Sequence, residues 1–208
     1  MKILLFGATG QLGRKFLDEA LKNDHLVTAI CRFPEKLNET KNPNLIVIKG
    51  DARNLDEIDE YFQDQDVVVS CLGEYRNPFS TLDLYSTFTR QVIDKIKKYE
   101  IKKIVVCSAS GTVVSERRRA SYFVQWIVFP LISSVLCDMQ VMEELLKNSD
   151  VRYVVIRPTH LVDCKIFFKF STLYGKLFSR RRFGSREWAF KNASFRFGRI
   201  LREMFVEY

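Results

Sequence analysis

Three features of this chain predict an α/β protein built on one doubly wound, parallel sheet. Short, continuous apolar runs rich in β-branched residues recur along it, segments with apolar residues at helical spacing separate them, and 208 residues with 47% hydrophobic and 28% charged side chains are enough for one core. The strand candidates in order are "KILLF" (2–6), "LVTAI" (26–30), "LIVI" (45–48), "DVVVSC" (66–71), "KIVVCS" (103–108) and "RYVVI" (152–156). They are continuous rather than alternating, as expected of strands covered on both faces. The helix candidates between them are "QLGRKFLDEALKN", "LDEIDEYF", "TLDLYSTFTRQVIDKIKKY" and "CDMQVMEELLKN". In the third, Leu82, Tyr85, Phe88, Val92 and Ile96 make one apolar stripe. Strand followed by helix, repeated, implies right-handed crossovers and helices on both faces of the sheet.

The first strand runs straight into glycines in "ILLFGATGQLGRKF", residues 3–16. Gly7, Gly10 and Gly13 fall between a strand and a helix. There a tight turn needs glycine, and the helix N-terminus offers unbonded N–H groups with partial positive charge. The expected use is a phosphate cradle: backbone at Gly7 and Gly10 lies close to a pyrophosphate, and Gly13 lets helix and strand pack closely. Glycines serving a purely steric turn are the competing reading, and the order strand, glycines, helix favours the anion site.

The spacing GxxGxxG, in "FGATGQLG", resembles the NAD(P)-binding fold of the atypical short-chain dehydrogenase/reductases. "TAICRFPEKL", "VIKGDARNLDEI", "DVVVSCLG", "KIVVCSASG" and "NSDVRYVVIRPTHLVD" follow in the order that family shows, over roughly residues 2–163. Together they look like the branch that contains flavin reductase (biliverdin-IXβ reductase). The resemblance implies a Rossmann-like fold in a single domain, with Gly7, Thr9, Gly10, Gln11, Leu12 and Gly13 around the pyrophosphate. It also implies Asp51 and Ala52 beside the adenine, Leu72 and Gly73 near the nicotinamide ribose, and Pro158 and Thr159 on the nicotinamide side. Asp51 has a second reading, as the cap of the helix that follows it.

At the end of the second strand, enzymes that prefer NAD carry an Asp or Glu for the ribose 2′-hydroxyl; this chain has Arg32, with Lys36 one turn on. A cation there favours a 2′-phosphate, so the expected cofactor is NADPH. A solvated surface charge is the alternative for Arg32.

Standard members of the superfamily protonate an alkoxide with the tyrosine of a YxxxK motif on the helix after the fifth strand. That helix lacks it here. The string occurs once, as "YEIKK" (Tyr99–Lys103), before the fifth strand, where it reads as chance. Without a positioned acid, reduction of a simple ketone loses about two to four orders of magnitude, whereas a flavin or extended tetrapyrrole holds the incoming charge by delocalisation. The expectation is an NADPH-dependent reductase of a conjugated small molecule. Ser108 and Ser110 leave the fifth strand where the family carries its active-site serine, and the sequence does not choose between them. His160 ends the sixth strand and is the other catalytic candidate; a structural histidine is the alternative. Asp138 and Glu143 stand five apart and form no obvious catalytic pair. The aromatic run Tyr122–Phe129 reads either as a lid or as core. A non-catalytic NADP(H)-binding sensor acting through a partner is the second functional class.

The charge is unevenly placed. Residues 1–163, the expected dinucleotide-binding domain, carry 22 basic and 22 acidic side chains; residues 164–208 carry 11 and 3, the whole of the +8. That C-terminal segment is aromatic as well as basic and departs from the family, and it is expected to pack on the same domain. Phe190, Ala193, Phe197, Ile200, Leu201 and Met204 would lie on one face of a final helix there. Its cations leave open a contact with nucleic acid, an anionic membrane surface or an acidic partner. Five scattered cysteines fit neither a disulfide framework nor a zinc spacing, so no metal is expected and the thiols read as reduced and mostly buried. The N-terminal apolar stretch is too short for a signal peptide and the longest apolar run too short for a bilayer span, which predicts a cytoplasmic protein.

Overall fold

The computed structural model describes residues 1–37, 40–74, 82–113, 126, 129–160 and 169–174. The run Tyr122–Phe129 lies almost wholly outside these residues, and the expected final helix lies entirely outside them. All six expected strands are present: β1 (Lys2–Phe6), β2 (Leu26–Cys31), β3 (Leu45–Lys49), β4 (Val67–Ser70), β5 (Lys103–Cys107) and β6 (Tyr153–His160). A further strand, β7 (Lys169–Tyr174), joins them, and the sheet order is β3-β2-β1-β4-β5-β6-β7. The first six strands pair in parallel, and β7 runs antiparallel to β6 at the edge. The fold is a Rossmann-like, doubly wound α/β sheet.

Both faces of the sheet are covered, which is why its strands read as unbroken apolar runs. Successive side chains of β1 go to opposite faces. Ile3 and Leu5 pack with Phe16, Leu17 and Ala20 of helix α1 (Gln11–Lys22). Leu4 and Phe6 pack with Phe88 and Val92 of α2 (Leu84–Lys98) and Met142 of α3 (Ser133–Asn148). The stripe from Leu82 to Ile96 is buried along its length, and Phe88 meets Phe6 edge-on with centroids 4.8 Å apart, a geometry worth about 0.5–1.5 kcal/mol beyond area burial.

Two elements differ from the sequence expectation. The segment after β3 is not an α-helix but 3-10 turns over Asp56–Phe62, broken at Ile58 (φ −123°). Leu55 and Ile58 both point into the core. Their three-residue spacing is the repeat of a 3-10 turn, and the segment is too short for α-helix to propagate. The second difference is β7, formed by "KFSTLY" from the basic segment. Among the described residues no helix is long and apolar enough to cross a membrane.

Candidate functional site

The glycine turn sits at the C-terminal edge of the sheet, where β1 and β4, neighbours in space, leave in different directions, the place where open α/β sheets bind ligands. Gly7 has φ +79°, and a Cβ on it would lie 2.4 Å from the Cys71 carbonyl oxygen. Gly13 abuts the Gly7 carbonyl, so α1 starts backbone against backbone on the turn. Gly10, the N-cap of α1, is different: its φ −77° and ψ 165° suit any residue, and an added Cβ would meet only the Gly7 oxygen, at 3.4 Å. The fold does not require glycine at position 10. No side chain caps α1, so what glycine keeps clear is the approach to the first-turn N–H groups of Gln11, Leu12 and Gly13. A pyrophosphate fits that space and that polarity.

On one side of the turn β2 ends at Cys31, and Arg32 and Lys36 are both exposed beside it. Arg14, in the first turn of α1, donates to the Lys36 carbonyl at 2.6 Å and so joins this group. Sequence reasoning passed over Arg14; its only signal was its place directly after the third glycine. Next along the edge, Asp51 Oδ1 accepts from Arg53 N at 2.9 Å and the Asp51 carbonyl from Asn54 N at 3.0 Å, so Asp51 closes a turn and caps no helix, the 3-10 segment starting only at Asp56. Ala52 is buried under that turn. Arg53 reaches Glu74 (2.9 Å), just past β4, and Asp83 (3.2 Å) ahead of α2. This ties the β3 and β4 loops together. Between them Leu72 is half-buried and Gly73 opens on space, with nothing within 4 Å of an added Cβ.

The far side of the cleft is built on Glu143 of α3. Its Oε1 accepts from Ser108 Oγ (2.5 Å), Thr112 Oγ1 (2.9 Å) and Arg157 Nε (3.0 Å), and its Oε2 from Arg157 Nη2. Ser108 is 3% exposed and Arg157 8%. Sequence reasoning placed Ser108 at this edge and singled out Glu143 as matching a family position with a structural role, but did not connect the two. Asp138, a second acid of α3, turns away to the N-terminus of α2, so it and Glu143 do separate work. Ser110 opens a 3-10 turn (Ser110–Thr112) two residues past Ser108. Pro158 is buried, and the β6–β7 register shifts between Pro158 and His160, which puts Thr159 in a bulge, a device common beside binding sites.

Tyr99 lies at the opposite end of the sheet. It caps the C-terminus of α2, stacks on Phe62 and donates to Asp59 Oδ2 at 2.6 Å. Lys103 opens β5. Among the described residues no disulfide forms: Cys31 is buried, Cys71 and Cys107 are half-buried and Cys137 is exposed. Burial pushes the Cys107 thiol up to about 12 and Cys71 well above its ordinary value, so neither is a thiolate at neutral pH. No group of side chains among the described residues is arranged to hold a metal ion.

Known proteins resemble this arrangement. The chain is 24% identical over 169 residues to an uncharacterised chloroplastic protein of Arabidopsis thaliana, covering 76% of this chain and 58% of that protein. It thus spans little more than half of that relative. The oxidoreductase ylbE from Lactococcus lactis superposes with a TM-score of 0.66 at 17% identity, over 80% of this chain and 72% of its own. ChuY, described as an anaerobilin reductase from Escherichia coli, superposes with a TM-score of 0.61 at 18% identity, over 79% and 82%. A family described as NAD(P)H-binding matches residues 7–177, from the first glycine of the cradle through β7. With the strand-turn-helix cradle at the switch of the sheet, this makes the cofactor a nicotinamide dinucleotide, and the chain belongs to the NAD(P)H-binding family.

Proposed function

We propose that this protein is an NADPH-dependent reductase of a flavin or another conjugated small molecule. The observation that carries this reading is the position of Tyr99: the sole YxxxK tyrosine in the sequence stands at the wrong end of the sheet with its hydroxyl bonded to Asp59, while α3, the long helix that follows β5 among the described residues, contains no tyrosine. Reduction there falls to acceptors that need no positioned side-chain acid. When bound, the cofactor supplies the hydride.

The chain's residues do the rest. The N–H groups of Gln11, Leu12 and Gly13 would hold the pyrophosphate, and Arg32 with Lys36 and Arg14 would hold a 2′-phosphate, the basis for choosing NADPH over NADH. Asp51 and Ala52 would flank the adenine, and Leu72, Gly73, Pro158 and Thr159 the nicotinamide half. Ser108, Ser110 and His160 would orient or polarise the acceptor. NADPH oxidation with a panel of flavins and quinones tests the proposal. Turnover of a flavin supports it, and NADPH binding without oxidation of any acceptor favours the second reading, a cofactor sensor acting through a partner. The burial of Ser108 in a closed polar cluster is the observation on that reading's side.

A further inference from the structure

From the bonding of Ser108 and Thr112 we infer that the β5 corner of the cleft recognises its ligand by the ligand's own N–H or O–H groups, offering acceptor lone pairs and no hydroxyl proton. The inference rests on the reductase reading and narrows its substrate class. A hydroxyl has one proton and two lone pairs. Glu143 is paired with Arg157 through both carboxylate oxygens, and a carboxylate so paired only accepts, so Ser108 gives its proton to Glu143 at 2.5 Å, and Thr112 gives its proton to Glu143 Oε1 or to the Ala109 carbonyl, each at 2.9 Å; neither hydroxyl keeps a proton for a ligand. Each is held in place. Ser108 N donates to Ile156 O at 2.8 Å, Gln140 Nε2 donates to Thr112 O at 2.7 Å, and both hydroxyl residues are almost fully buried. Turning a proton outward would break a charge-assisted bond in a dry site.

The corner also stands in the right place. Ser70 pairs with Val106 at the end of the parallel β4–β5 ladder, and Leu72 and Ser108 each follow two residues beyond that pair, at the edge of the sheet where Gly73 opens on space. A carbonyl oxygen of the acceptor would meet lone pairs there and be repelled. A ring or lactam N–H would be bound. This selects conjugated acceptors that carry such a donor over quinones, which present only oxygen acceptors.

Lumiflavin and N3-methyl-lumiflavin test this, because the methyl group removes the one ring N–H and keeps both carbonyls and the conjugation. With NADPH, the native protein is expected to reduce lumiflavin about five- to tenfold more efficiently in kcat/KM, the range of one neutral hydrogen bond. Ser108→Ala should bring the two flavins level. Equal efficiencies in the native protein, or a preference that survives both Ser108→Ala and Thr112→Val, would overturn the inference, since the preference would then be steric or absent. Quenching of flavin fluorescence by the NADP⁺-loaded protein reads the same preference without turnover. Preferred binding of lumiflavin with no NADPH oxidation would remove the reductase reading and leave the corner standing; equal binding, or none, would remove the corner.

Discussion

Gly13 sits so close to Gly7 that a Cβ on Gly13 would lie 2.0 Å from the Gly7 carbonyl oxygen, whereas one on Gly10 would clear the same oxygen by 3.4 Å. The two glycines therefore fail in different ways. Gly10→Val should abolish NADPH binding and leave a folded protein, because the added side chain fills the anion approach and touches little of the fold. Gly13→Val drives backbone from backbone and should destabilise the whole domain. Titration calorimetry and circular dichroism on the two variants separate these outcomes, and unchanged NADPH affinity in folded Gly10→Val would remove the cradle.

Arg32 is exposed at the end of β2, so its removal should leave stability unchanged. Arg32→Ala is expected to weaken NADPH about tenfold or more, on the order of 1.4 kcal/mol, and barely affect NADH. Arg14→Ala should do less of the same, since one of its N–H groups is already given to the Lys36 carbonyl. Equal losses for both cofactors, measured by calorimetry, would mean that these cations do not read a 2′-phosphate.

The strands and the cradle were legible because their signals are local: an unbroken apolar run, or glycines at fixed spacing after one. Glu143 gave no such signal. Its partners Ser108 and Arg157 lie 35 and 14 residues away, and only the packing of α3 across β5 and β6 brings them together. β7 was missed because six residues of "KFSTLY" become a strand through pairing with β6, inside a segment whose charge and aromatics dominated its reading. The 3-10 turns at Asp56–Phe62 were misread as α-helix because Leu55, Ile58 and Phe62, at spacings of three and four, follow the α-helical period, and the break at Ile58 that resets the turn leaves no mark in that pattern.

Asp138 accepts from the backbone N–H groups of Tyr85 (2.8 Å) and Ser86 (3.3 Å), capping α2 from another helix. It is 5% exposed, so its loss leaves buried donors unpaired. Asp138→Ala should destabilise the protein by about 1–3 kcal/mol in urea unfolding, with NADPH affinity retained. A change below a few tenths of a kcal/mol would show that the cap contributes nothing.

Lys95, then Lys98 and Tyr99, hold the Asp59 carboxyl well below the usual carboxylate range. A carboxyl whose pKa is lowered on folding contributes stability that is present at neutral pH and lost as the pH falls below about 4, where the unfolded carboxyl takes up its proton. Asp59→Asn should therefore lower the urea midpoint at pH 7 and differ progressively less from the native protein below pH 4. The cluster is solvent-accessible, so 1 M salt should shrink the difference at every pH. A difference independent of both pH and salt would assign the effect to packing.

The chemistry is tested by how little each side chain matters. If no residue delivers an obligatory proton, Ser108→Ala, Ser110→Ala and His160→Ala should each lower flavin reduction by about tenfold, well short of the two to four orders that follow removal of a general acid. Tyr99→Phe should keep full activity, because its hydroxyl is bonded to Asp59 at the end of the sheet remote from the cradle. The variant should show its loss only as a small, salt-sensitive fall in stability. Ser108 allows a finer distinction. Its proton is committed to Glu143, so alanine there should raise KM for the acceptor more than it lowers kcat, the signature of lost binding rather than lost proton transfer. Steady-state kinetics at saturating NADPH reads all four variants. A collapse of kcat in Ser108→Ala with KM unchanged would make the serine an acid despite its bond to the carboxylate, and a collapse in Tyr99→Phe with NADPH binding intact would place the reaction at the other end of the sheet.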